Sequence, residues 1–164
     1  SLLYAQQSVQ AGDTIANQGA ATKFASLYTI PANTLAAGRV YRLLARGVLS
    51  TTGTGSDLTL AVYMGTVSLA STGAQAAGAS ISNRLWEVRL DVIIITTGAT
   101  GTVEAQGDQH HFTDATTERA RHLRNTAVVT VDTTVANDFV VEVDWGTAAA
   151  GNTISQRMLV IELL

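Results

Sequence analysis

Apolar and polar residues alternate singly along most of this chain, and no segment sustains apolar spacing at three, four and seven over helical length. In "RLWEVRLDVII", Trp86, Val88, Leu90, Val92 and Ile94 fall on one face, and Glu87, Arg89 and Asp91 on the other. A strand points successive side chains to opposite sides, so this pattern buries the first set and wets the second. "DFVVEVDWGT" repeats it, with Phe139, Val141, Val143 and Trp145 inward and Glu142 and Asp144 outward. In "DLTLAVYMG", Leu58, Leu60, Val62 and Met64 share a face. "SQRMLVIELL" sets Leu159, Ile161 and Leu163 against Met158, Val160 and Glu162, which predicts a strand covered on both sides. Further strands are expected at "TKFASLYTI", "RVYRLLARGVLS", "TVSLAS", "TVEAQGDQHHF" and "NTAVVTVD". "TERARHLRN" comes nearest to a helical pattern, with room for one or two turns. About eight or nine strands without crossover helices imply an all-β, antiparallel sandwich or barrel.

The 164 residues suit one domain with a short appendage. We divide the chain into an extended N-terminal arm or edge segment over residues 1–20, mixed small and polar with Leu2, Leu3 and Tyr4 at its tip, and a β-sandwich domain over 21–164. Pro31 fixes its own φ and pushes Ile30 to extended geometry, so a strand is expected to end there. Charged residues make up 14% of the chain, well below the usual quarter, so hydroxyls and amides carry the polarity. Such a surface is cheap to desolvate and suits partner subunits or glycans as well as water. The net charge of −3 argues against a nucleic-acid partner. The longest apolar run, in "DVIIITTG", is too short to span a bilayer, so no membrane partner is expected. The start "SLLYAQQSVQAGD" lacks the basic and apolar regions of a secretion signal, and Ser1 is compatible with removal of an initiator Met. Cysteine is absent, which removes disulfides and thiolate metal sites.

Two strings, "STTGTGSD" at 50–57 and "ITTGATGT" at 95–102, resemble phosphate-cradling loops. A phosphate site needs a helix opening directly after the glycines, and strands follow both. Gly53, Gly55, Gly98 and Gly101 are therefore expected as positive-φ residues in hairpin tips. His110 and His111 are adjacent and point to opposite faces of a strand, so they do not converge on a metal. Glu142/Asp144 and Glu87/Asp91 are spaced about 6.8 Å along their strands, within reach of glycosidase geometry, but nothing marks one carboxyl as desolvated. No G-x-S-x-G elbow is present. Neither enzymatic activity nor a cofactor is expected. Positive charge is carried by arginine, with Lys23 the sole lysine. Arg119, Arg121 and Arg124 form the one basic cluster, and Arg42 and Arg46 share a strand face with Val40, Leu44 and Val48. Arginines on an apolar face suit contact with another subunit. The candidate partner-binding residues are thus Leu2, Leu3, Tyr4, Arg42, Arg46, Arg119, Arg121 and Arg124.

"YTIPANTLAAGRVYRLLARGVLSTTGTGSDLTLAVYMGTVSLASTGA", "TTGATGTVEAQG", "NTAVVTVDTTVANDFVVEVDWGTAAAGNTI" and "RMLVIELL" resemble a group of tailed-bacteriophage virion proteins over roughly residues 12–164. The most characteristic parts are Ile30–Leu35, the two TTG strings, Trp145-Gly146-Thr147 and Gly151-Asn152-Thr153. These are turn and strand signatures. The resemblance implies a jelly-roll β-sandwich, commonly a homotrimer, displayed on the outer capsid surface. Some such proteins are capsid decoration (cement) proteins seated over joints between major capsid protein subunits; others are head or tail fibre parts, for which a host glycan is the expected ligand. "DQHHFTDATTERARHLR" at 108–124 is more charged than the family pattern.

Overall fold

A computed structural model describes residues 1–7, 13–53, 56–125 and 127–164, with Gln6, Gln7 and Arg124 described by their backbone alone. Fourteen strands and no helix occur among them. In chain order they are β1 (Leu2–Gln7), β2 (Asp13–Ala16), β3 (Thr22–Lys23), β4 (Tyr28–Ile30), β5 (Val40–Ser50), β6 (Asp57–Met64) and β7 (Val67–Ser71). Then follow β8 (Gln75–Ala76), β9 (Arg84–Thr96), β10 (Gly101–Phe112), β11 (Glu118–Arg124), β12 (Val129–Val131), β13 (Asn137–Trp145) and β14 (Thr153–Leu163). All pair antiparallel, as two sheets packed together in a β-sandwich.

One sheet runs β1–β14–β5–β9–β10, with β2 beside β1 on the β14 edge and β11 and β12 side by side beyond β10. The other runs β7–β6–β13, with β3 and β4 beyond β13. A single backbone pairing, Arg124 with Ser71, links the sheets on one flank. Side chains close the opposite flank. The Tyr4 and Tyr28 rings meet at 5.8 Å, Gln156 Nε2 donates to the Ser26 carbonyl at 3.1 Å, and the Ser26 amide donates to the Asp13 carboxylate.

The expected inward faces form the core. Trp86, Val88, Leu90, Val92 and Ile94 of β9 are buried, as are Leu58, Leu60, Val62 and Met64 of β6 and Phe139, Val141, Val143 and Trp145 of β13. Full burial of each large apolar side chain contributes roughly 1.5–3 kcal/mol, so this interdigitated layer is the main source of stability. β4 ends at Ile30, before Pro31, as expected.

Several expectations need correction. The strand count exceeds eight or nine because edge pieces of two to four residues carry no periodicity of their own. β14 is covered on one side only: Leu159 and Ile161 are buried, whereas Met158, Val160 and Glu162 are half-buried on the other face. "TERARHLRN" forms strand β11, because pairing with β10 satisfies its backbone where no apolar helical stripe could. Only the second TTG string is a hairpin tip, joining the paired strands β9 and β10. The first joins β5 to β6, which do not pair, so it crosses from one sheet to the other. Of the four glycines expected at positive φ in the two strings, Gly98 has φ +116°, Gly53 and Gly101 do not lie in that region, and Gly55 lies outside the described residues. Within residues 1–20, of the two readings, arm or edge segment, the described strands β1 and β2 take the second and lie along β14.

Candidate interaction surface

Alternation sends the odd-numbered residues of β9 away from the core, and the register lines them up with even-numbered residues of β5, β10 and β14 across the sheet. Glu162, Arg42 and Asp91 stand opposite one another on β14, β5 and β9. Met158, Arg46, Glu87 and His110 make a second row, and Val160, Leu44, Arg89, Asp108 and His122 a third. Oppositely charged residues facing each other across strands stabilise a pair by a few tenths to about 1 kcal/mol. Here they do so repeatedly. Arg42 donates from Nε and a terminal nitrogen to both Asp91 oxygens, at 2.7 and 2.8 Å. Arg46 Nε donates to Glu87. His110 Nδ1 lies 3.0 Å from Glu118 Oε1, and His122 Nδ1 lies 2.7 Å from Asp108 Oδ1. Hydrogen bonding to Asp91 raises the Arg42 pKa against the opposing effect of burial.

Arg42 and Arg46 are therefore engaged with their own chain, and the Glu87/Asp91 pair is engaged with them. Among the basic cluster, Arg119 is half-buried opposite His111 and Arg121 is exposed opposite Gln109. The Arg124 backbone pairs with Gln106 and Ser71, and its side chain lies outside the described residues. Leu2 is 62% exposed, while Leu3 and Tyr4 pack partly against the core. The candidate residues thus fall in three places: the apolar tip of β1, Arg119 and Arg121 on the side of the sheet that His111 and Gln109 occupy, and Arg42 and Arg46 on the outer sheet face.

Two depressions mark this face. One of about 550 Å³ has Val48, Leu85, Phe112 and Met158 along it, with Arg157 at its rim. Arg157 sits in a β-bulge between Gln156 and Met158, which turns it out of the regular alternation. The other, about 570 Å³, is polar and includes Arg89, Asp108 and His122.

His111 points the other way and is buried. Its Nε2 lies 3.2 Å from the Ala76 carbonyl oxygen, which makes Nε2 the protonated nitrogen and leaves Nδ1 to accept from Gln109 Nε2 at 3.0 Å. Gln75 Nε2 in turn donates to Gln109 Oε1 at 2.6 Å. This polar ladder stitches β10 to β8 across the interior. Burial lowers the His111 pKa and Arg119 lowers it further, against the Ala76 hydrogen bond, so the imidazole is neutral at pH 7. Asp114, at the β10–β11 turn, accepts from the Thr116 and Thr117 amides at 2.8 and 2.7 Å, and these bonds hold its pKa at about 2. No group of His, Asp and Glu among the described residues is placed to hold a metal ion. Trp86 and Trp145 are both buried, as their inward positions predict.

Sequence reasoning missed the partners of the arginines, although it had placed Glu87, Arg89 and Asp91 outward. The missing information was register, which decides who faces whom. It also missed Leu85, Phe112 and Met158, for no periodicity distinguishes an apolar residue lining a surface depression. No protein-family model, no curated protein and no solved structure matches this chain.

Proposed function

We propose that this chain is a capsid decoration (cement) protein of a tailed-bacteriophage virion: a jelly-roll sandwich, assembled as a homotrimer, that binds the outer capsid surface and holds neighbouring major capsid protein subunits together. The resemblance of its turn and strand signatures supports the family. The observation that carries the adhesive role is the outer face of β14, β5 and β9, where half-buried Leu44, Val160 and Met158 lie among charges already paired across strands. A partner covering that face meets apolar area and few uncompensated ions, which lowers the desolvation cost of docking. Adhesion of this kind needs area and repetition. Three equivalent patches on a trimer also keep one another near their sites once one is attached. Burial of both tryptophans weighs against a fibre module that stacks sugars on them, and engagement of Glu87 and Asp91 by arginine weighs against a hydrolase using that pair.

The test is binding to preassembled capsids that lack the protein. Saturable, stoichiometric occupancy and increased resistance of the shells to heat are expected. A protein that ignores phage shells, or that hydrolyses a glycan, would overturn the reading. The face is probed with Val160→Glu, which stands between Ala5 and Leu44 and so puts an unpaired charge at an apolar point of the face; it is expected to reduce occupancy at least tenfold, equivalent to about 1.4 kcal/mol.

A further inference from the structure

We propose that the apolar depression at one end of the outer sheet face is a binding groove for an amphiphilic monocarboxylate of medium chain length, its head on Arg157 and its tail laid across the strands. The depression, about 550 Å³, lies within the range of roughly 300–1,000 Å³ usual for small-ligand sites. Four adjacent strands each give it one apolar side chain: Met158 from β14, Val48 from β5, Leu85 from β9 and Phe112 from β10. Val48 and Leu85 stand directly opposite each other. Phe112 follows His111, the partner of Trp86, and so lies beside Leu85. The apolar row therefore runs across the sheet over three strand spacings of about 4.8 Å, or roughly 14 Å in all. That is the reach of an extended alkyl chain. Leu85 is 64% exposed, so a chain lying in the groove removes apolar surface from water.

Charge gives the ligand its sign and its direction. Arg46 is bonded to Glu87, and His110 to Glu118. Arg157, exposed at the β14 end, makes no hydrogen bond or ion pair with the described residues. The β-bulge brings it there: Arg157 and Met158 both leave the core between buried Gln156 and Leu159, where regular alternation would send out only one. A guanidinium thus stands next to the first apolar residue of the row, and its planar fork matches a carboxylate. At the other end Phe112 faces Glu118 across β10 and β11. A second carboxylate on the tail would meet that like charge. The occupant consequently carries one negative charge, at one end.

The test is isothermal titration calorimetry of the whole protein at neutral pH with decanoate, decanol and the dicarboxylate sebacate, each kept below micellar concentration. Saturable binding of decanoate is expected, with decanol and sebacate each at least about tenfold weaker, the size of one charge-assisted hydrogen bond. Arg157→Gln should lower decanoate affinity to that of decanol and leave decanol unchanged. Leu85→Ser should weaken decanoate and decanol alike. Both positions are exposed, so the melting temperature of each variant should match the wild type. No saturable binding of decanoate, sebacate binding as tightly as decanoate, or either variant retaining wild-type decanoate affinity overturns the proposal. The measurement uses the protein free in solution, so its outcome and that of the capsid-binding test remain separate.

Discussion

A Cβ placed on Gly47 would lie 1.7 Å from the Ser155 carbonyl oxygen and 2.8 Å from Trp86 Nε1. The space it leaves is used: Trp86 Nε1 donates to that same carbonyl at 3.1 Å, and the indole stacks on Phe24 at 5.8 Å. Gly47 therefore sets the distance between β5, β9 and β14 at the point where the Arg157 bulge begins. Gly47→Ala is expected to destabilise the fold by about 3 kcal/mol, the upper range for overpacking a core, measured by urea denaturation. In the sequence this glycine is only a gap in an alternating strand. Its reason lies in residues 39 and 108 positions further along the chain, at Trp86 and Ser155.

At the scale of elements, the ladder Gln75–Gln109–His111 joins β8 to β10 through three buried side chains. Its direction is fixed by the Ala76 carbonyl, which can only accept, so a proton on His111 Nδ1 would face the Gln109 amide donor. Because the folded state holds the His111 pKa below its ordinary 6.5, the unfolded chain binds the proton more readily. The sign follows by linkage: stability is complete above pH 6.5 and falls as pH drops below it. His111→Gln is expected to remove this slope between pH 6.5 and 5, read as stability against pH for variant and wild type. The alternation of "TVEAQGDQHHF" had correctly parted His110 from His111. It could not tell which of the two would be buried, because β10 carries polar residues on both faces and only the packing of β8 over one of them decides.

For the whole molecule, the open flank between β1 and β4 is closed by side chains, with Tyr4 against Tyr28 at its centre. The first seven residues, whose composition suits an arm or an edge segment, pair with β14 as an edge strand. Removing residues 1–7 uncovers the β14 edge and the Leu3 and Tyr4 contacts. A loss of about 2–4 kcal/mol is expected, half-burial being worth roughly half of a full side chain for each, with the lost pairing added. For a chain of this length that lowers Tm by about 5–10 °C. An unchanged Tm by differential scanning calorimetry would show that the segment contributes nothing to the sandwich. Capsid-binding experiments are better made with point variants than with a truncated chain, since truncation disturbs the fold that presents the face.

Sequence alone determined which side of each long strand is buried, since a period of two leaves only two choices and the apolar set selects one. It thereby determined the antiparallel β class and the inward position of both tryptophans. Tertiary structure decided register, and with register the pairing of Arg42 with Asp91 and Arg46 with Glu87. It also decided that "STTGTGSD" changes sheets while "ITTGATGT" turns a hairpin, and that the N-terminal residues become an edge strand. These outcomes depend on which strands become neighbours, a choice made by the collective fit of two sheets that no local pattern of residues encodes.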